Sequence, residues 1–378
     1  MQLLTFVISL FIGLNSFAQE KPADPSFANG ACGVHITNYC SEVREPKESF
    51  MCLKQHEADL SVECKQEIER WVQVNRQSLR RGGGSLNSFG GMNALGPTSR
   101  GASYESRFGN STTFLNQQRL NLSTPIGSIS GGLLGVSLAG GNLHIGESVF
   151  LDSGIQIPKE LYRAEIGLQY FKILSDKDNW GIRASIGYNG DEVFKRSSDT
   201  SFSVNAYFSF PPSGSGFWIA TIFLANNSFL GNYIPIPGVL YFYKTPTFTG
   251  IFGFPIVSAQ WTPVNPWAFG ISIFGPTITM EANYGSVDTY QFFTNLGYAQ
   301  QNFILRDRVN DKDRLTIEEK KLAFGVRTPV LGFIGAEIQI ANAFDRQIYI
   351  GEGLFKKQGG SAKFDSDWLG SIALRAAF

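Results

Sequence analysis

This sequence is short of charge, late cysteine, histidine and long apolar runs, and each shortage removes a class of function. Its 32 basic residues equal its 32 acidic ones, so no net field draws the chain to nucleic acid or an anionic surface, and nucleic-acid binding is set aside. Charged residues of both signs make up only 17%, against about 25% in an ordinary soluble chain. Cysteine stops at position 64, and of three histidines only His144 lies beyond it. A hydrolytic triad needs a base beside its nucleophile, so the long C-terminal part offers one possible base. Past the N-terminal segment no apolar stretch reaches the ~18 residues that mark a membrane-crossing helix.

What is abundant points the other way. Aromatics reach 13%, with 32 Phe, and there are 41 Gly, a mixture suited to strands, tight turns and an apolar solvent. The opening "MQLLTFVISLFIGLNSFAQE" carries a short apolar run followed by Ser16, Phe17 and Ala18, and reads as a secretory signal over residues 1–18. The run is shorter than the roughly 20 residues a helix needs to cross a bilayer.

All four cysteines, Cys32, Cys40, Cys52 and Cys64, fall in one segment. In a secreted chain an even, clustered count indicates two disulfides. The metal alternative would use His35 and His56, but the gaps of seven, eleven and eleven residues lack the tight Cys-x2-Cys knuckle of zinc sites. We therefore expect no metal. Three pairings are open. A nested one, Cys32 with Cys64 and Cys40 with Cys52, would clamp two helical pieces about Pro46. Ser61 is placed to cap a helix whose apolar stripe is Cys64, Ile68, Trp71 and Val72. Residues 28–80 thus form a cysteine-rich helical module.

The order Cys-x7-Cys followed by "CLKQHEADLSVEC" resembles the cysteine-rich repeat of the Golgi apparatus protein family, over about Ala31 to Trp71. The resemblance implies a disulfide-linked helical unit. Because the repeat occurs once, the family's multivalent binding does not carry over.

Residues 81–111, beginning "GGGSLNSFGG", are rich in Gly and Ser without sustained periodicity and read as a flexible linker. From about Thr112 the chain breaks into short alternating segments. In "YRAEIGLQY" the residues Tyr162, Ala164, Ile166, Leu168 and Tyr170 share a face, opposite Arg163, Glu165, Gly167 and Gln169. "WGIRASIGY" and "FIGAEIQIANAF" repeat the scheme. Apolar faces that begin and end with aromatics, opposite a face of Gly, Ser and sparse charge, are what a membrane barrel needs. A soluble sandwich would carry more Lys, Glu and Thr on its solvent face.

The expected fold is therefore all-β: an antiparallel transmembrane β-barrel of about 12 to 14 strands over residues 112–378, preceded by the small disulfide-linked helical module. This part resembles bacterial outer-membrane barrels of unassigned function. In the apolar-out register Arg163, Glu165, Arg183, Glu281, Lys321, Arg327, Glu337 and Arg375 all turn into the lumen, and a slip of one residue would expose them to lipid. The segment "DRQIYIGEGLFKKQGGSAKFDSD" reads as a long outer loop. Either "NLHIGESVFL" or "GVLYFYKT" supplies a strand beyond thirteen candidates, and "NYIPIPGVLYFYKTPTFTG" is a constriction loop or a strand with an irregular start. Trp368, Ile372, Leu374 and Phe378 alternate at the chain end and resemble the terminal signal that barrel-assembly machinery reads.

Three functions follow. The first is a pore or transport channel for small solutes in the bacterial outer membrane, with the cysteine-rich module in the periplasm. The second is a structural anchor or binding protein whose module docks a periplasmic protein or a cell-wall partner. The third is an outer-membrane lipid hydrolase, but the outer-membrane phospholipase pattern places Ser two residues after its His, whereas Ile145 and Gly146 follow His144. No catalytic residue and no cofactor are expected. The partners implied are outer-membrane lipid and the assembly machinery.

Overall fold

A computed structural model describes residues 31–40, 52–53, 56, 59–68, 101–109, 115–174, 178–192, 197–228, 230–331, 334–352 and 356–377. The signal segment 1–18, Trp71, Val72 and Phe378 lie outside the described residues. The chain divides into two compact units, Met1–Leu79 and Arg80–Phe378.

The first unit is small and cross-linked. Helix α1 spans Gly33–Tyr39, and a second helical stretch covers 62–68. Disulfides join Cys32 to Cys64 and Cys40 to Cys52, which is the nested pairing. Both bonds occupy all four thiols, so no thiolate is left for zinc. The backbone N–H of Cys64 donates to Ser61 Oγ at 3.2 Å, the N-cap contact that satisfies an orphan donor in the first helical turn. Around the Cys32–Cys64 bond, Leu53, Leu60 and Ile68 are buried. So few apolar side chains make a core too small to hold the unit without its cross-links.

The second unit is one antiparallel sheet closed on itself. Its strands are β1 (Gly101–Gly109), β2 (Leu115–Ile129), β3 (Gly132–Ile145), β4 (Glu160–Ile173), β5 (Asn179–Gly190), β6 (Thr200–Ser209), β7 (Gly216–Ala225) and β8 (Ile236–Lys244). There follow β9 (Phe248–Phe254), β10 (Ile256–Trp261), β11 (Trp267–Phe274), β12 (Thr277–Gly285), β13 (Gln291–Phe303), β14 (Arg314–Leu331), β15 (Ile334–Glu352), β16 (Lys356–Phe364) and β17 (Asp367–Ala377). Each strand from β1 to β15 pairs with the next, β17 also pairs with β15, and β1 pairs with β17 to close the ring. Strands β16 and β17 both run along β15, one beside Arg346–Glu352 and the other beside Ile334–Ala343. They are two halves of one wall strand, so the 17 strands build sixteen staves.

Sixteen corrects the expected 12 to 14, for three local reasons. Strand β1 lies inside the segment 81–111 read as a linker, because in "GASYESRFG" only Tyr104 and Phe108 mark the outer face and Gly and Ser dilute the period. The barrel therefore begins at Gly101 and not at Thr112. The piece "GVLYFYKT" belongs to β8, a strand with an irregular start after Tyr233 at φ 61°. Residues 250–261, which look like one strand, fold back at Pro255 into β9 and β10. The long outer loop after Phe344 is another correction: Asp345–Glu352 continue β15, and Lys356–Phe364 pair with it. "NLHIGESVFL" adds no stave, since its first four residues end β3.

Wall height varies. β14 and β15 have 18 and 19 residues, whereas β9 and β10 have 7 and 6. At about 3.3 Å per residue the tall side exceeds the low side by tens of ångströms along the strand. At the end bearing the barrel's termini the links are short, and the link Ser130-Gly131, with φ of 51° and 76°, is the primed two-residue turn that matches strand twist. We call this the near end.

The outer surface is apolar. Ile166, Leu168, Ile186, Val239, Ile338 and Ile340 are each roughly half exposed, and large apolar side chains left open together on one face mark a surface that meets something other than water. An aromatic belt rings the near end: Tyr170 packs on Trp180 at 5.3 Å, Trp218 on Tyr241 at 4.9 Å and Trp267 on Tyr284 at 5.0 Å. An apolar band with such a belt is the surface of a membrane-spanning barrel. Among the described residues no helix is long and apolar enough to cross a membrane.

This face assignment predicts that Ile338→Arg costs about 2 to 4 kcal/mol in lipid vesicles. The neighbouring Gln339→Arg, on the opposite face, should cost far less. Reversible denaturant unfolding of both variants checks the difference.

Candidate functional site

The enclosed face is layered, because each strand contributes every second residue to it. Contacts between staves that are not neighbours identify that face, since in a closed sheet they can be made only through the interior. Gln117 and Arg119 of β2 both reach Gln301 of β13, at 3.0 Å and 2.8 Å. Arg107 of β1 pairs with Glu319 of β14.

At the far end the interior is an apolar layer. Leu115, Leu143, Ile145, Leu161, Phe303, Leu315, Ile317 and Ile348 pack together, drawn from β2 to β4 on one side and β13 to β15 on the other. The segment between β3 and β4 adds Val149, Leu151 and Ile157, all buried. A small hairpin holds them: Leu151 N–H donates to Ile155 O at 2.9 Å, and Ile157 N–H to Val149 O at 2.8 Å. The hairpin is tied to β16, with Asp152 N–H donating to Ser361 O at 3.2 Å.

A second closure lies beside this layer. The end of β5 meets the end of β13, half the ring away, where Gly190 bridges to Ile304 and Ile304 N–H donates to Asn189 O at 2.7 Å. A Cβ on Gly190 would sit 2.0 Å from the Ile304 carbonyl oxygen, so this seam requires glycine. Beyond it, Arg306 Nη1 donates to Glu192 at 2.6 Å and Arg308 Nη1 to Asp199 at 2.8 Å. Glu192, by hydrogen bond and charge, holds the Arg306 guanidinium above its ordinary value. Burial lifts the Asp191 carboxyl above the usual carboxylate range, although it accepts the Arg306 N–H.

Beneath the apolar layer the enclosed face turns polar. Closer to the near end, Arg327 Nη1 and Nη2 donate to the two oxygens of Glu281 at 2.9 Å and 2.8 Å, and Nε to Glu337 at 2.8 Å. Asn283 accepts from the same guanidinium at 2.9 Å, and the Phe293 ring lies 4.1 Å from its carbon. Arg375 reaches the same Glu337 oxygen at 3.0 Å. Arg327 and Glu281 are each 8% exposed, and the fork geometry is the one in which burial of a charge pair is best compensated. A further apolar cluster, Tyr207, Ile219, Leu240, Ile251 and Ile256 with four Phe, lines the inside of the low wall β6 to β10.

Of the residues singled out in the sequence, the structure brings Glu281, Arg327, Glu337 and Arg375 into one network. Arg163 pairs within its own strand with Glu165 at 2.9 Å. Arg183 donates to Ser137 Oγ at 3.4 Å. Lys321 makes no hydrogen bond or ion pair among the described residues and sits within electrostatic reach of Arg107, Arg119, Glu105 and Glu319. Trp368, Ile372 and Leu374 stand on the outer face at 57%, 44% and 44% exposure. His144 lies at the far end of β3 on the outer face, its Nδ1 2.5 Å from Glu160.

Sequence reasoning missed Arg107, Arg119, Glu319 and Arg346. Arg107 was hidden in the supposed linker. Arg346 follows a bulge at Asp345, φ 47°, which reverses the inward parity of β15. The signal that could have found Arg119 is its alternation with Leu120 and Leu122, both outward and exposed.

No family model matches the chain, and no curated protein does, so the cysteine-rich repeat remains a resemblance. Among solved structures the chain is similar to OmpT, an outer membrane protein of Vibrio cholerae, with 10% identity over 74% of this chain and 96% of that one at a TM-score of 0.30. It is also similar to the Pseudomonas putida toluene transporter TodX, with 8% identity over 78% and 93% at a TM-score of 0.33, and to a porin, with 9% identity over 74% and 99% at a TM-score of 0.30. At these scores the architecture rests on the strand pairing itself.

Removing the Arg327 guanidinium leaves the buried Glu281 carboxylate without its cation, while Glu337 keeps Arg375. Arg327→Gln is expected to destabilise the barrel by about 3 to 5 kcal/mol, and adding Glu281→Gln to it should recover part of the loss. Denaturant unfolding of the single and double variants measures both.

Proposed function

We propose that this chain is an outer-membrane transport barrel for small solutes whose passage is shut at the far mouth in the conformation described. The observation that carries this reading is the apolar layer beneath that mouth, where the buried Val149, Leu151 and Ile157 of the β3–β4 segment pack against side chains from opposite walls. A layer of this kind excludes water, and a hydrophobic constriction blocks ions by dewetting. The hairpin that completes it belongs to a connection and not to the wall, so it is the part able to move without breaking the ladder of hydrogen bonds around the sheet. In this reading the near end and the disulfide-linked unit are periplasmic, and the alternating Trp368, Ile372 and Leu374 serve the assembly machinery.

The test is conductance in planar bilayers. The intact chain should be silent or open rarely, and replacing residues 148–158 by a short Gly-Ser linker should give regular steps. Heat-shifted gel mobility shows that the variant is folded. A steady large conductance from the intact chain overturns the closed state, and silence from both overturns the transport reading.

A second reading is favoured by the same interior. A barrel filled at two levels serves equally well as an anchor for the disulfide-linked unit, without passing anything. Deletion of residues 19–80 should then abolish capture of a periplasmic or cell-wall partner while leaving the barrel folded; unchanged capture removes this version.

A further inference from the structure

Directly beneath the apolar layer lies a set of charges that the protein does not neutralise with its own hydrogen bonds. Four cations, Arg107 of β1, Arg119 of β2, Lys321 of β14 and Arg346 of β15, face the interior here, Arg119 and Lys321 two strand periods below Leu115 and Ile317 and Arg346 one below Ile348. Two carboxylates stand among them, Glu105, the cross-strand partner of Arg119, and Glu319. Glu319 already accepts from Arg107 Nη2, and it approaches Arg346 only at Nε, at 3.5 Å.

Arg346 is the anomaly. It is 1% exposed, among the largest fully buried side chains of the protein, yet Nη1 and Nη2 make no hydrogen bond among the described residues. The Phe364 ring covers it at 5.6 Å. Asp367 contributes an attractive charge from farther away but makes no bond to it, and Arg107 repels it. Taking a guanidinium out of water costs several kcal/mol unless partners replace its hydration. Two N–H edges of a buried guanidinium that lack an acceptor point to one supplied from outside the chain. Among the described residues Lys321 is likewise without a bonded partner and Arg119 donates to the neutral Gln301, with Glu105 within electrostatic reach of both.

We propose that this layer is a binding site for a small oxyanion, with inorganic phosphate the chemistry it fits, held by Arg346, Lys321 and Arg119 beneath the closed mouth. Two forked guanidinium groups and an ammonium ion, all within electrostatic reach of Arg107, are the donor types that a tetrahedral oxyanion takes. Within the transport reading, on which this rests only for its purpose, the site defines the solute class as anionic.

The experiment uses the full chain folded in detergent and measures phosphate binding by calorimetry, with chloride at equal ionic strength as the control. Saturable binding of phosphate and a phosphate-dependent rise in unfolding temperature are expected. Arg346→Gln and, separately, Lys321→Gln should each weaken binding about tenfold or more, the loss expected for one charge-assisted hydrogen bond. Because Arg346 is buried, the more accessible Lys321 keeps the test informative if Arg346→Gln folds poorly. Equal effects of phosphate and chloride, or unchanged affinity in Lys321→Gln, overturn the site. The readout does not involve conductance: phosphate binding by a chain that never conducts would leave the site standing and remove the transport reading alone.

Discussion

Closure of the sheet is the constraint on which everything else depends. In hydrocarbon an unpaired backbone N–H or C=O costs several kcal/mol, and a sheet edge would present a row of them. Pairing of Gly101–Gly109 with Leu369–Ala377 removes that edge. Once the ring is shut, the two faces of every strand meet different surroundings, and the period of two sorts the side chains. Isoleucine, leucine and aromatics cover the outside, charge turns inside, and the apolar side chains that also face inward gather in the far-end layer and the cluster on the low wall.

The inside is then too small to be simply an aqueous tube. Its far end is filled by aliphatic side chains from opposed walls and by an inward hairpin. The seam between Gly190 and Ile304 narrows the ring where the low strands β6 to β12 stop short. The middle carries cations that exceed their bonded partners, while the near end satisfies its charges through the Arg327 fork. Energetically these levels differ: the first is held by exclusion of water, the last by a connected set of charge-assisted bonds, and the middle has the Arg107–Glu319 pair but leaves Arg346 and Lys321 without bonded partners among the described residues. That contrast is why we propose the middle level as the place for a ligand and the far level as the place for a gate.

Individual residues explain how far the sequence could be read. Ile166 and Leu168 opposite Glu165 and Gln169 make an unambiguous outer face, because several large apolar residues in phase outweigh any local irregularity. Tyr104 and Phe108, separated by Glu105, Ser106 and Arg107, do not, and so β1 hid among glycines. Pro255 sits inside what reads as one alternating run, yet the run folds back there. Asp345 adds one residue to β15, and from that point parity reverses, which is how Arg346 became buried without any sign in the pattern. The cysteine segment was legible in kind, and its pairing was one of three until the helices were placed.

The sequence by itself determined that the chain forms alternating strands with one apolar face, that charge must turn away from lipid, and that four clustered cysteines cross-link a separate small unit. These follow from period, composition and spacing, which are local. Only the tertiary structure decided the number of staves, the meeting of β5 with β13, and the layering of apolar plug, cations and ion-pair fork. Those depend on which residues reach the same height on strands far apart in the chain, and height is set by bulges, turn lengths and closure acting together around the ring.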